Sequence, residues 1–125
     1  MTHRKFTVWY NSKCPVCDGG MERQHRRLQA ARADAIEFRD INLEPNVLAP
    51  FGASIEDVRR RLHGVDTEGR LHIGAACAIE IWRRTPGDVW LGNLLGLPPL
   101  RQITCFGYDR FADLLYAWNR RKGHW

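Results

Sequence analysis

Four residues, Cys14-Pro15-Val16-Cys17, carry the most specific chemistry of this 125-residue chain. A thiolate is both a nucleophile and a metal ligand, so two cysteines spaced this way suit either thiol-disulfide exchange or zinc coordination. Exchange requires that one sulfur be held ionised and the other lie close enough to attack it. A helix N-terminus meets the first requirement, because its unsatisfied N–H groups and positive dipole end stabilise an anion there. Cys14 is then the nucleophile. Pro15 suits the first helical position, where its fixed φ is helical and its missing N–H is not needed. Cys17, one turn further in, falls on the apolar stripe of the helix and is expected to be the less accessible thiol, resolving a mixed disulfide rather than starting one. Lys13 adds a nearby positive charge.

The elements that must position the motif are legible on both sides of it. Residues 6–10, Phe-Thr-Val-Trp-Tyr, form a β-branched and aromatic run that reads as a buried strand. From Pro15 to about Arg32 the composition turns to helix formers. Cys17, Met21, Leu28 and Ala31 share one face, and Glu22, Arg23, Arg26 and Arg27 the other. Gly19 and Gly20 weaken that helix and suggest a bend or a close backbone contact. Residues 36–39 alternate as a second strand, giving a parallel βαβ opening. Asp40 closes that strand and is placed to lie under the motif and help move a proton from Cys17.

Further on, residues 42–53 contain Pro45, Pro50 and Gly52 and read as an irregular connection. Ser54, followed by Asp57, caps a short second helix on which Ile55, Val58 and Leu62 share a face. Residues 62–66 and 70–73 form a hairpin around Thr67-Glu68-Gly69. A third helix spans about 75–84 and stops at Pro86-Gly87. A short one holds Val89, Trp90, Leu94 and Leu95. After Pro98-Pro99, Tyr108, Phe111, Ala112, Leu115 and Trp118 recur at helical spacing, and that helix ends in the cations Arg120, Arg121 and Lys122 before Gly123. The order is β-α-β-α-β-β-α and two helices, in a single α/β domain.

Composition narrows the classes. Lys and Arg number 19 against 14 Asp and Glu, a net charge of +5, and 44% of the chain is hydrophobic, enough to bury a core. The longest apolar stretch, residues 75–82, is far shorter than the ~20 residues of a membrane span and is interrupted by Glu80. Residues 1–10 lack the apolar region and small-residue cleavage site of a secretory leader, so the default compartment is the cytoplasm. There, thiols stay reduced, and four cysteines read as catalytic, metal-binding or packing residues rather than as a disulfide scaffold. Zinc would require two further ligands. Cys77, Cys105, His63 and His72 offer no second closely spaced pair, and Cys77 and Cys105 read as small buried hydrophobes. The arginines cluster at 23/26/27, 59/60/61, 83/84 and 120/121 but alternate with acids on helix faces. A nucleic-acid-binding module is the rival class, although no nucleic-acid fold motif is present. An inert Cys-x-x-Cys in a partner subunit is another.

The chain resembles the thioredoxin-like superfamily, and more closely the DCC family of thiol-disulfide oxidoreductases. The residues carrying the resemblance are Tyr10-Asn11-Ser12-Lys13-Cys14-Pro15-Val16-Cys17-Asp18, Arg61-Leu62-His63-Gly64-Val65-Asp66 with Gly69-Arg70 and Gly74-Ala75, and Tyr108-Asp109-Arg110-Phe111 with Trp118-Asn119-Arg120. The resemblance implies a thioredoxin-like α/β fold, with a small mixed sheet of about four strands flanked by helices and extra C-terminal helices. It implies disulfide exchange with no metal or organic cofactor. The partners are a disulfide-containing protein or small thiol and an electron donor, with no membrane. Two departures stand out. The family motif is Asp-Gly-x-Cys-x-x-Cys, and Asn11-Ser12 occupy the Asp-Gly positions, so an amide stands where the family has an acid. Thioredoxin-like folds also place a cis-proline before the third strand, facing the cysteines. No proline lies between Ala53 and Thr85, and His63 falls near that position. His63 is therefore a candidate neighbour of Cys14, the alternative being a histidine satisfied at a strand start.

Overall fold

The computed structural model describes residues 5–125; residues 1–4, part of the stretch read for a leader, lie outside the described residues. Four strands form one sheet in the order β2-β1-β3-β4. β1 (Phe6–Tyr10) runs parallel to β2 (Ile36–Asp40), with Phe6 opposite Ile36 and Tyr10 opposite Asp40. β3 (His63–Val65) is antiparallel to β1 and pairs through a hairpin with β4 (Leu71–Ile73). Asp66 shapes the hairpin turn by accepting from the N–H groups of Glu68 and Arg70. β1 is covered on both faces, which is why it is a continuous apolar run rather than an alternating one. Phe6 and Val8 pack with Leu28, Ile36, Cys77 and Ile81 on one face. Trp9 packs with Ile41, Leu48, Val58 and Val65 on the other.

Five helices follow the expected order: α1 (Pro15–Ala30), α2 (Ile55–Arg60), α3 (Ala75–Arg84), α4 (Val89–Leu95) and α5 (Leu100–Lys122). Two short 3₁₀ turns occupy the connection after β2. The capping box of α2 is complete, with Asp57 N–H donating to Ser54 Oγ and Ser54 N–H to Asp57 Oδ2. Among the described residues, no helix is long and apolar enough to cross a membrane. The mixed four-strand sheet with its added C-terminal helices is the thioredoxin-like α/β architecture that the sequence predicts.

Three expectations are corrected. α1 ends at Ala30, before Arg32, because Arg32 adopts a left-handed φ of 54° that a continuing helix excludes. α5 begins at Leu100, directly after Pro98-Pro99, and holds all five hydrophobic residues read at helical spacing, but they do not all face inward. Its buried positions are Ala112 and Asn119, while Phe111 and Trp118 stay 54% and 41% exposed. The inward seam is thus Tyr108, Ala112, Leu115 and Asn119, a narrower stripe than five hydrophobic residues suggested. Gly19 and Gly20 make no close contact, since a Cβ at either would meet nothing within 4 Å. The glycine with a steric reason is Gly64, where a Cβ would come within 2.7 Å of the Phe6 ring and 2.9 Å of Cys77 Sγ. Because Gly19 is exposed inside a helix with open space around it, Gly19→Ala is expected to stabilise the protein by about 0.5–1 kcal/mol. A urea midpoint that stays put or falls would refute that.

Candidate functional site

The motif sits where β1 gives way to α1, and its loop is tied down from two sides. Asn11, only 2% exposed, accepts at Oδ1 from Lys13 N–H (3.1 Å) and from Asn42 Nδ2 (2.8 Å). Its carbonyl accepts from Cys14 N–H at 3.1 Å. Asp40 holds the next residue, accepting from the hydroxyl and the N–H of Ser12, and also from Asn42 N–H at 3.0 Å. Burial pushes the Asp40 carboxyl up, but these donors outweigh it and leave the group below the usual carboxylate range. The result is a rigid turn that delivers Cys14 to the N-cap of α1.

Cys14 Sγ accepts from Cys17 N–H at 3.3 Å, as an N-cap side chain should, and from Asn119 Nδ2 at 3.1 Å. Its acidity follows from competing causes. The Cys17 thiol hydrogen bond lowers the pKa most. Burial raises it, and the Cys17 N–H, Asn119 and Val16 N–H donors lower it again, to about 6 against an ordinary 9.0. Cys17 moves the opposite way because it supplies the proton to that bond, is partly desolvated and faces the Cys14 charge and that of Asp18. The two free thiols divide the labour, with Cys14 ionised and Cys17 protonated.

Beside them lies a cleft of about 140 Å³ between the first turns of α1, residues 58–62 and the inward seam of α5. Val16, Cys17, Met21, Leu62 and Leu115 make its apolar wall. α5 is fastened over it by polar contacts. Arg61 reaches Asp109 and Asp113, each at 3.0 Å, Tyr108 Oη accepts from Leu62 N–H at 3.1 Å, and Tyr116 Oη donates to Glu56 at 2.6 Å. Just past its end His124 Nδ1 meets Asn119 Oδ1 at 2.6 Å, while Asn119 Nδ2 faces Cys14 Sγ.

A family model for DCC1-like thiol-disulfide oxidoreductases matches residues 8–121. The chain belongs to this family. Searches of curated proteins and of solved structures returned no match. As a DCC1-like protein, the chain places its Cys-x-x-Cys pair where the sequence located it, but with the order of accessibility inverted. Cys14 is 1% exposed and Cys17 only partly buried. The N-cap sulfur turns inward under Asn119, whereas Cys17 lines the cleft.

The other sequence candidates fall as follows. Pro15 is the first residue of α1. Lys13 is exposed and contributes its backbone N–H to Asn11. Asp40 supports the loop through Ser12 and Asn42, and the carboxylate whose charge acts on Cys17 is Asp18. His63 is corrected as a neighbour of Cys14. It stands opposite Trp9, 2% exposed, bonded through Nδ1 to the Arg61 carbonyl at 2.9 Å, in a separate pocket with Ala53, Asp57 and Leu71. Burial lowers its pKa. Strand alternation decides this, because the residue that turns to the cleft is the adjacent Leu62. Cys77 is fully buried against Phe6, and Cys105 lies partly buried on α5. Sequence reasoning did not single out Asn119. Its signal was present, as a polar residue in register with Tyr108, Ala112 and Leu115 on an inward face.

Proposed function

We propose that the protein is a disulfide reductase acting on disulfide-bearing polypeptides, with Cys14 as nucleophile and Cys17 as resolving thiol. The observation that supports this reading is the pair of unlike sulfurs, an N-capping Cys14 with three donors directed at it and a Cys17 whose proton is held by that same anion. The Cys14 thiolate attacks one sulfur of the target disulfide. A Cys14–target bond forms, the target S–S bond breaks, and the departing thiolate takes a proton from solvent. Forming that bond removes the Cys14 charge, which is the main reason Cys17 held its proton. Cys17 then ionises, attacks Cys14 Sγ and releases the second target thiolate. Two electrons pass to the target, leaving a Cys14–Cys17 disulfide for a dithiol donor to reduce. Because Cys14 is buried, the Asn119 side chain must move aside to admit the target sulfur.

The test is turnover of a protein disulfide such as that of insulin. Cys14→Ser is expected to be inactive, and Cys17→Ser to accumulate a mixed disulfide on Cys14, read by mass spectrometry. Wild-type activity in Cys14→Ser, or trapping on Cys17 in place of Cys14, would reject this assignment.

A further inference from the structure

Two cleft-lining residues, Asn11 and Arg59, each carry a buried polar atom with no partner among the described residues. Asn11 Nδ2 is buried and has no hydrogen-bond partner among the described residues, although Asn11 lines the cleft with Cys17. Its orientation is not free. Lys13 N–H and Asn42 Nδ2 both donate to its Oδ1, so the oxygen is assigned and the NH₂ is the end left over. The other polar groups lining the cleft are engaged. Arg61 holds Asp109 and Asp113, Arg60 stacks on Tyr116, Tyr116 holds Glu56, Tyr108 serves Leu62 N–H, and Asn119 is used at both ends. Arg59 Nε is also unpaired, but that side chain is committed to Glu56 and Asn42 through its terminal nitrogens. A buried donor left unsatisfied is destabilising, and a bound acceptor removes that penalty.

We propose that Asn11 Nδ2 is the substrate-binding donor of the cleft and takes a peptide carbonyl next to the target disulfide. The assignment rests on the exchange reading above and adds to it the group that recognises the polypeptide backbone beside the disulfide. Three observations converge. The donor is three residues before Cys14, in the loop that sets the position of that sulfur. Val16, Met21, Leu62 and Leu115 line the cleft beside it, which suits the apolar part of the residue next to the disulfide. A carbonyl is the acceptor that every peptide disulfide carries close to sulfur.

Asn11→Asp separates this role from a structural one, because a carboxylate still accepts from Lys13 and Asn42 while the donor is lost. Asn11→Ala serves as the uncharged second variant. Each is assayed with a peptide disulfide and with bis(2-hydroxyethyl) disulfide, which has no amide carbonyl. The expected result is that kcat/KM for the peptide disulfide falls roughly tenfold or more relative to that for the alkyl disulfide, carried mainly by KM, over and above any loss common to both substrates that a disturbed Cys14 loop causes. A charge effect on the Cys14 thiolate would slow both substrates alike. Equal losses on the two substrates, or no loss on either, would overturn the assignment. Wild-type protein inert toward both would remove the exchange reading itself and this inference with it.

Discussion

Cys17→Ala is expected to raise the Cys14 pKa from about 6 toward the ordinary cysteine value, and so to discharge the nucleophile at neutral pH. Burial alone would push a thiol up, and Cys14 is among the most buried side chains of the molecule. Its low pKa is therefore a net result in which donors win, and the Cys17 thiol is the largest of them. Alanine deletes that donor while the Cys17 N–H and Asn119 Nδ2 remain. With a pKa near 6 about nine-tenths of Cys14 is ionised at pH 7. Near ~8.5 only a few per cent is, a loss of roughly 10- to 30-fold in thiolate. The measurement is the ultraviolet absorbance of the thiolate against pH, taken as a difference from Cys14→Ser, which does not depend on reagent access to a covered sulfur. Cys17→Ser restores a hydroxyl donor at the same place and should bring the midpoint most of the way back. A midpoint that stays near 6 in Cys17→Ala would show that the helix terminus and Asn119 suffice. Asn119→Ala, which removes a smaller contribution, should shift it in the same direction by less.

The parts of this site legible in the sequence are the local ones. Phe6 to Ile36 reads as strand, motif and helix because each step is set by neighbours within a turn or two: the apolar run, Pro15 at the helix start, the N-cap geometry of Cys14. The same holds for the Ser54–Asp57 box and for the Asp66 hairpin, whose signals are a few residues long. What the chain hid was non-local. Asn119 reaches Cys14 across 105 positions of sequence, and its helical register marks it as inward-facing without naming the partner. The inverted burial of the two thiols is tied to the same contact, since an isolated helix exposes its N-cap and here Asn119 of α5 lies against it. His63 was misplaced by analogy of position, where a one-residue step along a strand turns a side chain to the opposite face. Gly19 and Gly20 invited a packing explanation that the open space around them does not support.

The dithiol protein should gain stability as pH rises from 6 to 9, and the disulfide protein should not. Cys14 has a folded pKa of about 6 and an ordinary value of 9.0, so the unfolded chain binds more protons between those limits and folding is favoured as they are removed. The contribution is complete above pH 9 and lost as pH falls through 6. Three units at about 1.4 kcal/mol each set its ceiling near 4 kcal/mol. Cys17, raised above its ordinary value, has the opposite sign: its contribution is present below pH 9 and lost above it, so it leaves the interval from 6 to 9 untouched. His63, lowered by burial, weakens the fold only as acid is approached and does so in both redox forms. Urea midpoints of the reduced and oxidised proteins across this interval isolate Cys14, because a sulfur in a disulfide carries no charge for Asn119 and Cys17 N–H to stabilise. Parallel pH profiles for the two forms would mean that Cys14 is not held as a thiolate. The free energy that separates them also stabilises the dithiol against its disulfide and raises the reduction potential of the couple, so a redox titration must show its growth over the same pH interval.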